Sequence, residues 1–170
     1  MPSVVMVIAP EMFRDEEYAE PKRILEEAGV EVVTASVETG DCRGRFGLVA
    51  HAEVALRDVS AAGHDAVVFV GGPGSKVLFD DPTAHRLARE AFEDGCIVGA
   101  ICIAPSVLAR AGLLRGKIAT SFPSQEDDLR AHGALWSGNP VSISGRIITA
   151  NGPESAEAFG RDLVRMIAQN

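Results

Sequence analysis

Cysteines, basic residues and long apolar runs are all scarce in this 170-residue chain. Its three cysteines are odd in number and lack metal-like spacing, which argues against a disulfide framework or a metal site and favours a reducing compartment. With 16 Lys and Arg against 24 Asp and Glu, the formal net charge is −8, and no basic cluster occurs. We therefore expect neither nucleic acid nor a membrane as a partner.

We also expect no targeting or membrane-spanning segment. The apolar run Val4–Ala9 has no basic segment before it and no small-residue cleavage site after it. No later run approaches the length needed to span a bilayer. We therefore expect a cytoplasmic protein that forms one domain over residues 1–170, large enough to bury a core without crosslinks.

Short apolar runs alternate with segments of helical periodicity, which predicts a three-layer αβα sandwich with a mostly parallel sheet. Strands are predicted at 3–9, 30–35, 66–70, 97–102, 117–121, 141–144 and 146–150, and helices at 18–28, 83–93, 105–112, 125–132 and 154–168. Residues 10–17 are predicted to form a polar loop and residues 46–55 a small hairpin or an edge strand. Ligands of such sheets bind beyond the carboxyl ends of the strands, so the loops there should form one crevice.

Cys102 lies at a predicted corner between a strand and a helix. Pro105 suits the first turn of that helix, because its fixed φ is helical and it has no N–H to leave unpaired. A helix N-terminus favours the thiolate, and a sharp turn exposes the side chain at the sheet edge, as in a nucleophile elbow. The alternative is a small buried hydrophobic residue, as many free cysteines are. Neither Cys42 nor Cys96 has this strand-end position.

Two glycines follow the predicted strand 66–70 and belong to the same crevice. Gly71 and Gly72 allow backbone N–H groups to approach a developing oxyanion, and the N–H of Ile103 is a further donor. The Gly-Gly-Pro-Gly run is also a common turn, and it lacks the spacing of a phosphate-binding loop. The sequence thus predicts an oxyanion site without identifying a ligand.

Acidic residues stand before the first predicted helix. A carboxyl group of Glu16 or Glu17 beside the sulfur can hold the thiolate by a hydrogen bond and move protons, provided that burial raises its pKa. The alternative is that these residues only complement the helix dipole, as first-turn acids often do. The loop lacks the Ser, Thr and Gly residues of an FMN phosphate cradle, so no cofactor is predicted.

Motifs along essentially the whole chain resemble those of the ThiJ/PfpI superfamily. They are Phe13–Glu17 with Pro21, Asp65–Gly72, Ala100–Pro105, Thr120–Pro123 and Asn151–Pro153. The resemblance implies a flavodoxin-like fold of the class I glutamine amidotransferase type and a cysteine nucleophile at Cys102. It also implies a functional glutamate at Glu17 and a homodimer or higher homo-oligomer.

The sequence departs from the superfamily at two histidine positions. Ile103 stands where PfpI-like intracellular peptidases have a histidine, and Phe122 stands where proteins resembling the parkinsonism-linked deglycase have one. The chain has four histidines, none of them in a segment predicted to reach the crevice: His51, His64, His85 and His132. Expulsion of an amide needs a positioned general acid, whereas a thiolate adds to an aldehyde without one.

The resemblance therefore favours a glyoxalase- or deglycase-like enzyme in which Cys102 attacks an α-oxoaldehyde or its adduct. Glu17 would move protons, and Gly72 and Ile103 would stabilise the oxyanion. One alternative is a PfpI-like cysteine hydrolase or peptidase, whose base would come from a neighbouring subunit. Another is a non-catalytic redox sensor or stress-protective protein that uses oxidation of Cys102.

Overall fold

In the computed structural model, which describes residues 1–169, one large sheet forms the middle layer of the molecule. The strands are β1 (Ser3–Val7), β2 (Glu11–Phe13), β3 (Glu31–Ser36), β4 (Gly40–Gly44), β5 (Val49–Ala52), β6 (Val54–Ala55), β7 (Ala66–Phe69), β8 (Ile97–Ile101), β9 (Ile118–Ala119), β10 (Leu135–Trp136), β11 (Val141–Ser144) and β12 (Ile147–Ala150). The central sheet has the order β11-β12-β8-β7-β1-β3-β6, and only β11 and β12 pair in antiparallel fashion.

Helices cover this sheet in two groups. They are α1 (Asp15–Glu27), α2 (Pro82–Glu93), α3 (Pro105–Arg110), α4 (Glu126–Ala131) and α5 (Ala156–Ala168). Helix α1 packs against α5, and α2 packs against α3. The predicted three-layer sandwich with a mostly parallel sheet is confirmed. Among residues 1–169, no helix is both long and apolar enough to cross a membrane.

Local sequence explains the central layer. All five residues of β1 are buried, as expected for apolar, β-branched strands covered on both faces. Close packing needs glycine at two points: a Cβ at Gly99 would lie 3.2 Å from the ring of Phe159, and one at Gly160 would lie 3.0 Å from the Cα of Pro21. The second glycine lets α5 approach α1.

Three predicted segments differ from the observed ones. Helix α1 begins at Asp15 rather than at residue 18, because acidic residues are favourable in a first helical turn, and Glu17 is therefore helical. The strand predicted at 117–121 is reduced to Ile118–Ala119, which pairs with β10 outside the central sheet. The hairpin predicted at 46–55 starts earlier, at Gly40, and consists of β4 and β5. These two strands form a separate sheet with β2, whereas β6 forms an edge of the central sheet.

Candidate active site

Cys102 directly follows β8 and adopts a backbone conformation that L residues rarely occupy. Its φ is +66°. Two backbone hydrogen bonds hold it there: its N–H donates to the Ala150 carbonyl (2.9 Å), and its carbonyl accepts from the Phe122 N–H (2.7 Å). A strained conformation that its surroundings enforce is a common feature of functional sites. The geometry is that of the predicted elbow.

Backbone donors surround the sulfur, but the two glycines act on different groups. The N–H groups of Ile103 and Gly72 face the sulfur of Cys102 and lower its pKa. The N–H of Gly71 instead faces the Glu17 carboxyl group and lowers the pKa of that group. The Gly71 N–H is therefore directed at the carboxyl group, and the oxyanion-binding roles of Gly71, Gly72 and Ile103 stay predictions.

Gly71 packs closely against Glu17, Ile101 and Cys102. A Cβ there would lie 2.6 Å from Oε1 of Glu17, 2.6 Å from the Ile101 carbonyl oxygen and 2.8 Å from the Cβ of Cys102. No side chain fits in that space, so a glycine is what allows Glu17 to reach Cys102. Gly72 is equally constrained, with a φ of +100° and only 2.3 Å between a Cβ and the Arg14 nitrogen.

Glu17 is fully buried in the first turn of α1. Within residues 1–169 neither carboxyl oxygen makes an ordinary hydrogen bond, which leaves only looser contacts with the Cys102 thiol and the Gly71 N–H. Burial raises the pKa of Glu17 to about 7, against the lowering effects of the Cys102 contact and of the Arg14 charge. The two other acids considered have different partners: Glu16 binds Arg14, and Asp15 accepts from the backbone of the β4–β5 turn.

Burial also raises the pKa of the Cys102 thiol. Burial first, and then the negative charge of Glu17, raise the pKa of Cys102 to about 12. This direction is opposite to the one expected from a helix N-terminus, because α3 has only six residues and the sulfur has little water around it. Two groups in contact titrate as a pair. Burial therefore makes each group of the pair hold its proton to a higher pH than it would in water.

A cavity of about 280 Å³ opens in front of Cys102. It is lined by Arg14, Arg45, Gly72, Pro73, Lys76, Cys102, Ile103, Phe122, Ser124, Gln125 and Pro153. Small-molecule pockets typically start at about 300 Å³, so this one suits a small substrate. A larger open groove of about 820 Å³ lies between α1 and β5, but Cys102 does not line it.

The four histidines lie elsewhere, as predicted. His51 contacts Asp41, His64 contacts Ser3, His85 contacts the Phe79 carbonyl and His132 contacts the Asp128 carbonyl. None of them lines the cavity. Within residues 1–169, no group of three His, Cys, Asp or Glu side chains is arranged to hold a metal ion.

Three cationic residues of the cavity were not found from the sequence. Arg14, Arg45 and Lys76 come from separate segments: the turn before α1, the β4–β5 turn, and the 3₁₀ helix Pro73–Leu78. Only Arg14 lies within one of the motifs named above, Phe13–Glu17. No spacing in the sequence relates the three, since the order of the strands in space brings them together.

The chain is similar to known proteins over nearly its whole length. The model of the DJ-1/PfpI family matches residues 2–166. The chain is 39% identical to "Uncharacterized protein MJ0967" of Methanocaldococcus jannaschii over 98% of this chain and 83% of that one. It is 30% identical to "Deglycase PYRAB04690" of Pyrococcus abyssi (96% and 98%) and 33% identical to "Putative cysteine protease YraA" of Bacillus subtilis (98% and 99%). A crystal structure of a ThiJ/PfpI domain protein from Brachyspira murdochii superimposes with a TM-score of 0.97 at 32% identity, covering 99% of this chain and 97% of that one.

Proposed function

Because the chain belongs to the DJ-1/PfpI family, we propose that it is a glyoxalase- or deglycase-like enzyme with Cys102 as nucleophile and Glu17 as proton carrier. The substrate is a small α-oxoaldehyde, or the adduct that such an aldehyde forms. Relatives named as a deglycase and as a cysteine protease support cysteine chemistry in general. The choice between them depends on the site of this chain.

In the first step the Glu17 carboxylate accepts the proton of the Cys102 thiol, and the sulfur adds to the aldehyde carbon, so that the C–S bond forms as the carbonyl π bond breaks. The Gly72 and Ile103 N–H groups already face the sulfur, so they are placed to stabilise the oxyanion that develops beside it. Glu17 then gives the proton that it took from the thiol to that oxygen. The product is a hemithioacetal with a Glu17 carboxylate beside it.

In the second step Glu17 acts as a base. It removes the hydrogen on the carbon bonded to sulfur as a proton, and the hydroxyl proton of that carbon moves to the neighbouring ketone oxygen through an enediolate. Glu17 then returns its proton to the former ketone carbon. The former aldehyde carbon is thereby oxidised to a thioester, and the ketone carbon is reduced to an alcohol, so no external oxidant or reductant is needed. Water hydrolyses the thioester, which releases a 2-hydroxy acid and restores the Cys102 thiol.

The observation that carries this proposal is the buried Glu17–Cys102 pair at the end of a small cavity without histidine. A carboxyl group with a pKa near 7 is suited to both donating and accepting a proton near neutral pH. Peptide hydrolysis needs a general acid for the departing amine, and in this chain no histidine of the cavity supplies one. Addition to an aldehyde has no such requirement.

The test is consumption of methylglyoxal, measured beside cleavage of a fluorogenic peptide, with the wild type, Cys102→Ser and Cys96→Ser. We expect methylglyoxal turnover that Cys102→Ser reduces at least about 1000-fold and that Cys96→Ser leaves near the wild-type level. Activity on the peptide alone would support the hydrolase alternative. Activity on neither substrate, with reversible oxidation of Cys102, would support the redox sensor.

We also propose that the chain assembles as a homodimer or a higher homo-oligomer. Large apolar side chains are exposed close together around the small β2-β4-β5 sheet, and such groups often mark an interaction surface. They are Met12, Phe46, Leu48 and Val49, with 37–64% of their surface accessible. A symmetric contact through this patch would cover them. Light scattering of a dilute solution tests the assembly, and a monomer there would contradict it.

The three cysteines are free thiols, which suits the reducing cytoplasm that we expect for this enzyme. Cell fractionation tests that location, and recovery of the protein outside the cytoplasm would contradict it.

A further inference from the structure

The cavity in front of Cys102 is strongly cationic, although the chain as a whole is anionic. The formal net charge is −8, yet the cavity lining contains Arg14, Arg45 and Lys76 and no Asp or Glu. We call these three residues the cation cluster. Like charges gathered at one small site repel one another, an arrangement that an anionic ligand would stabilise. The charge distribution therefore points to the ligand of the cavity.

The positive charge of Arg14 acts on both reacting groups, Glu17 and Cys102. Its Nε and Nη2 donate to the Glu16 carboxylate at 2.8–3.2 Å, which fixes the guanidinium. That bond raises the pKa of Arg14, and the charges of Glu17 and Cys102 raise it further. The field of Arg14 therefore reaches the nucleophile itself.

Arg45 is held at the mouth of the cavity by the turn between β4 and β5. The Asp15 carboxylate accepts from the N–H groups of Phe46 and Leu48, both at 2.9 Å, and the Arg45 N–H donates to the Phe13 carbonyl (2.8 Å). The guanidinium carbon of Arg45 lies 5.5 Å from the centroid of the Phe46 ring, and that of Arg14 lies 4.9 Å from the same centroid. One aromatic ring thus contacts both guanidinium groups.

Two members of the cluster have no acidic partner in the described chain. Within residues 1–169, neither Arg45 nor Lys76 forms a salt bridge, whereas Arg14 pairs with Glu16. Their charges are therefore available to a bound molecule. A guanidinium offers a planar pair of donors and an ammonium a point charge, and both groups bind carboxylate and phosphate.

We propose that the substrate of Cys102 carries an anionic group, which Arg45 and Lys76 bind while Arg14 faces the reacting carbonyl. The identity of the rest of the substrate, a small reactive aldehyde, depends on the function proposed above. A cavity of about 280 Å³ has the volume of roughly nine water molecules, enough for a three-carbon oxoaldehyde with a carboxylate or a phosphate. The cation cluster is then the specificity element of the site.

The anion-binding part can be tested without any enzymatic turnover. Iodoacetate and iodoacetamide alkylate thiols by the same displacement of iodide and are similar in size, but only iodoacetate is charged. The ratio of their rates at Cys102 cancels the fraction of thiolate and reports the local charge. We expect this ratio to exceed that of N-acetylcysteine at least fivefold, an order-of-magnitude figure for unscreened charges at close range.

The variants are Arg45→Gln with Lys76→Gln, and Arg43→Gln as the matched control. Arg43 is an exposed cation of the same hairpin that does not line the cavity. The double variant should bring the rate ratio at Cys102 down to that of N-acetylcysteine, and the control should keep it high. A wild-type ratio equal to that of N-acetylcysteine would overturn the proposal, as would a high ratio that survives in the double variant.

A kinetic comparison then tests the substrate class. The KM for hydroxypyruvaldehyde phosphate should be at least about tenfold lower than that for methylglyoxal, and the double variant should remove this difference. Equal KM values in the wild type would contradict the anionic substrate class. If neither aldehyde is consumed while the alkylation ratio is high, the proposed reaction fails and the anion subsite stands. If methylglyoxal is consumed while that ratio is low, the anion subsite fails and the reaction stands.

Discussion

A buried cysteine lies at each end of strand β8, and the two sulfur atoms have different neighbours. Cys96 at the entrance exposes 6% of its surface and Cys102 at the exit 9%. The sulfur of Cys96 donates to the His64 carbonyl (3.2 Å), so carbonyl oxygens surround it. The sulfur of Cys102 faces N–H groups and a carboxyl group. Burial alone therefore does not distinguish an inert thiol from a nucleophile.

Their difference follows from the direction of the sheet. At the carboxyl ends of parallel strands, loops diverge and leave a crevice. Gly71 and Gly72 follow β7 there, next to Cys102, and α1 delivers Glu17 to the same place. The entrance of β8 is closed instead by the tight turn at Gly95, with Cys96 bonded back to the Ala91 carbonyl. Three predictions test this contrast.

The largest expected effect comes from adding one methyl group at Gly71, next to Cys102. Gly71→Ala would place a Cβ 2.6 Å from the Glu17 carboxyl oxygen and 2.6 Å from the Ile101 carbonyl oxygen, so backbone must move. We expect the free energy of unfolding to fall by at least about 3 kcal/mol and methylglyoxal turnover to be lost. Urea unfolding followed by circular dichroism measures the first effect.

Gly95→Ala is the matched control at the other end of the strand. Gly95 has a φ of +80° but open space around it, so only the backbone penalty applies, about 1 kcal/mol. Turnover should be retained in this variant. If Gly71→Ala were as well tolerated as Gly95→Ala, the tight packing of Glu17 against Cys102 would be refuted.

The second prediction concerns pH, since only the Cys102 end has a buried carboxyl group. Folding raises the pKa of Glu17 from 4.5 to about 7, so the folded state binds its proton more tightly than the unfolded state. The stabilisation is complete below about pH 4.5 and is lost as the pH rises through about 7. Across that window it amounts to about 3 kcal/mol, as an upper order-of-magnitude figure.

Glu17→Gln should abolish this contribution, which appears as a difference between the pH-stability curves of wild type and variant. Glu16→Gln is the neighbouring control. Its hydrogen bond with Arg14 lowers the pKa of Glu16, so its own contribution has the opposite sign and, at an exposed site, is small. Parallel curves for wild type and Glu17→Gln would show that Glu17 ionises freely in the folded protein.

The smallest expected effect is on alkylation. Near neutral pH, iodoacetamide should modify Cys102 at least about tenfold faster than Cys96 or Cys42, because only Cys102 has a cavity in front of it and a carboxyl group beside it that can accept the thiol proton. Mass spectrometry of digested samples gives the three rates. Equal rates would remove the distinction between the two ends of β8.

Glu17→Leu extends the alkylation experiment. Burial and the negative charge of Glu17 both raise the pKa of Cys102, so a variant without the carboxyl group loses the second of these contributions. Glu17→Leu should therefore lower the apparent thiolate pKa, followed by ultraviolet absorbance, and increase the rate of alkylation at a given pH. An unchanged thiolate pKa would show that Glu17 is not the partner of Cys102.

The sequence by itself determined the class of fold and the chain positions of the main elements. Apolar runs and helical periodicity are local properties, so β1, β7, β8 and the β11–β12 hairpin were predicted close to their observed bounds. The corner at Cys102 was equally readable, because a strand, a cysteine and a helix-starting proline are adjacent in the chain. The start of α1 was predicted three residues too late, because acidic residues such as those at 15–17 occur both in loops and in the first turn of a helix.

Only the tertiary structure decided what surrounds the sulfur. The pKa directions of Glu17 and Cys102 depend on burial, which several elements create together. The separate orientations of the Gly71 and Gly72 peptides depend on a backbone geometry that the residue type permits but does not specify. The cation cluster joins residues 14, 45 and 76, whose proximity follows from the order of the strands, and no local pattern encodes that order.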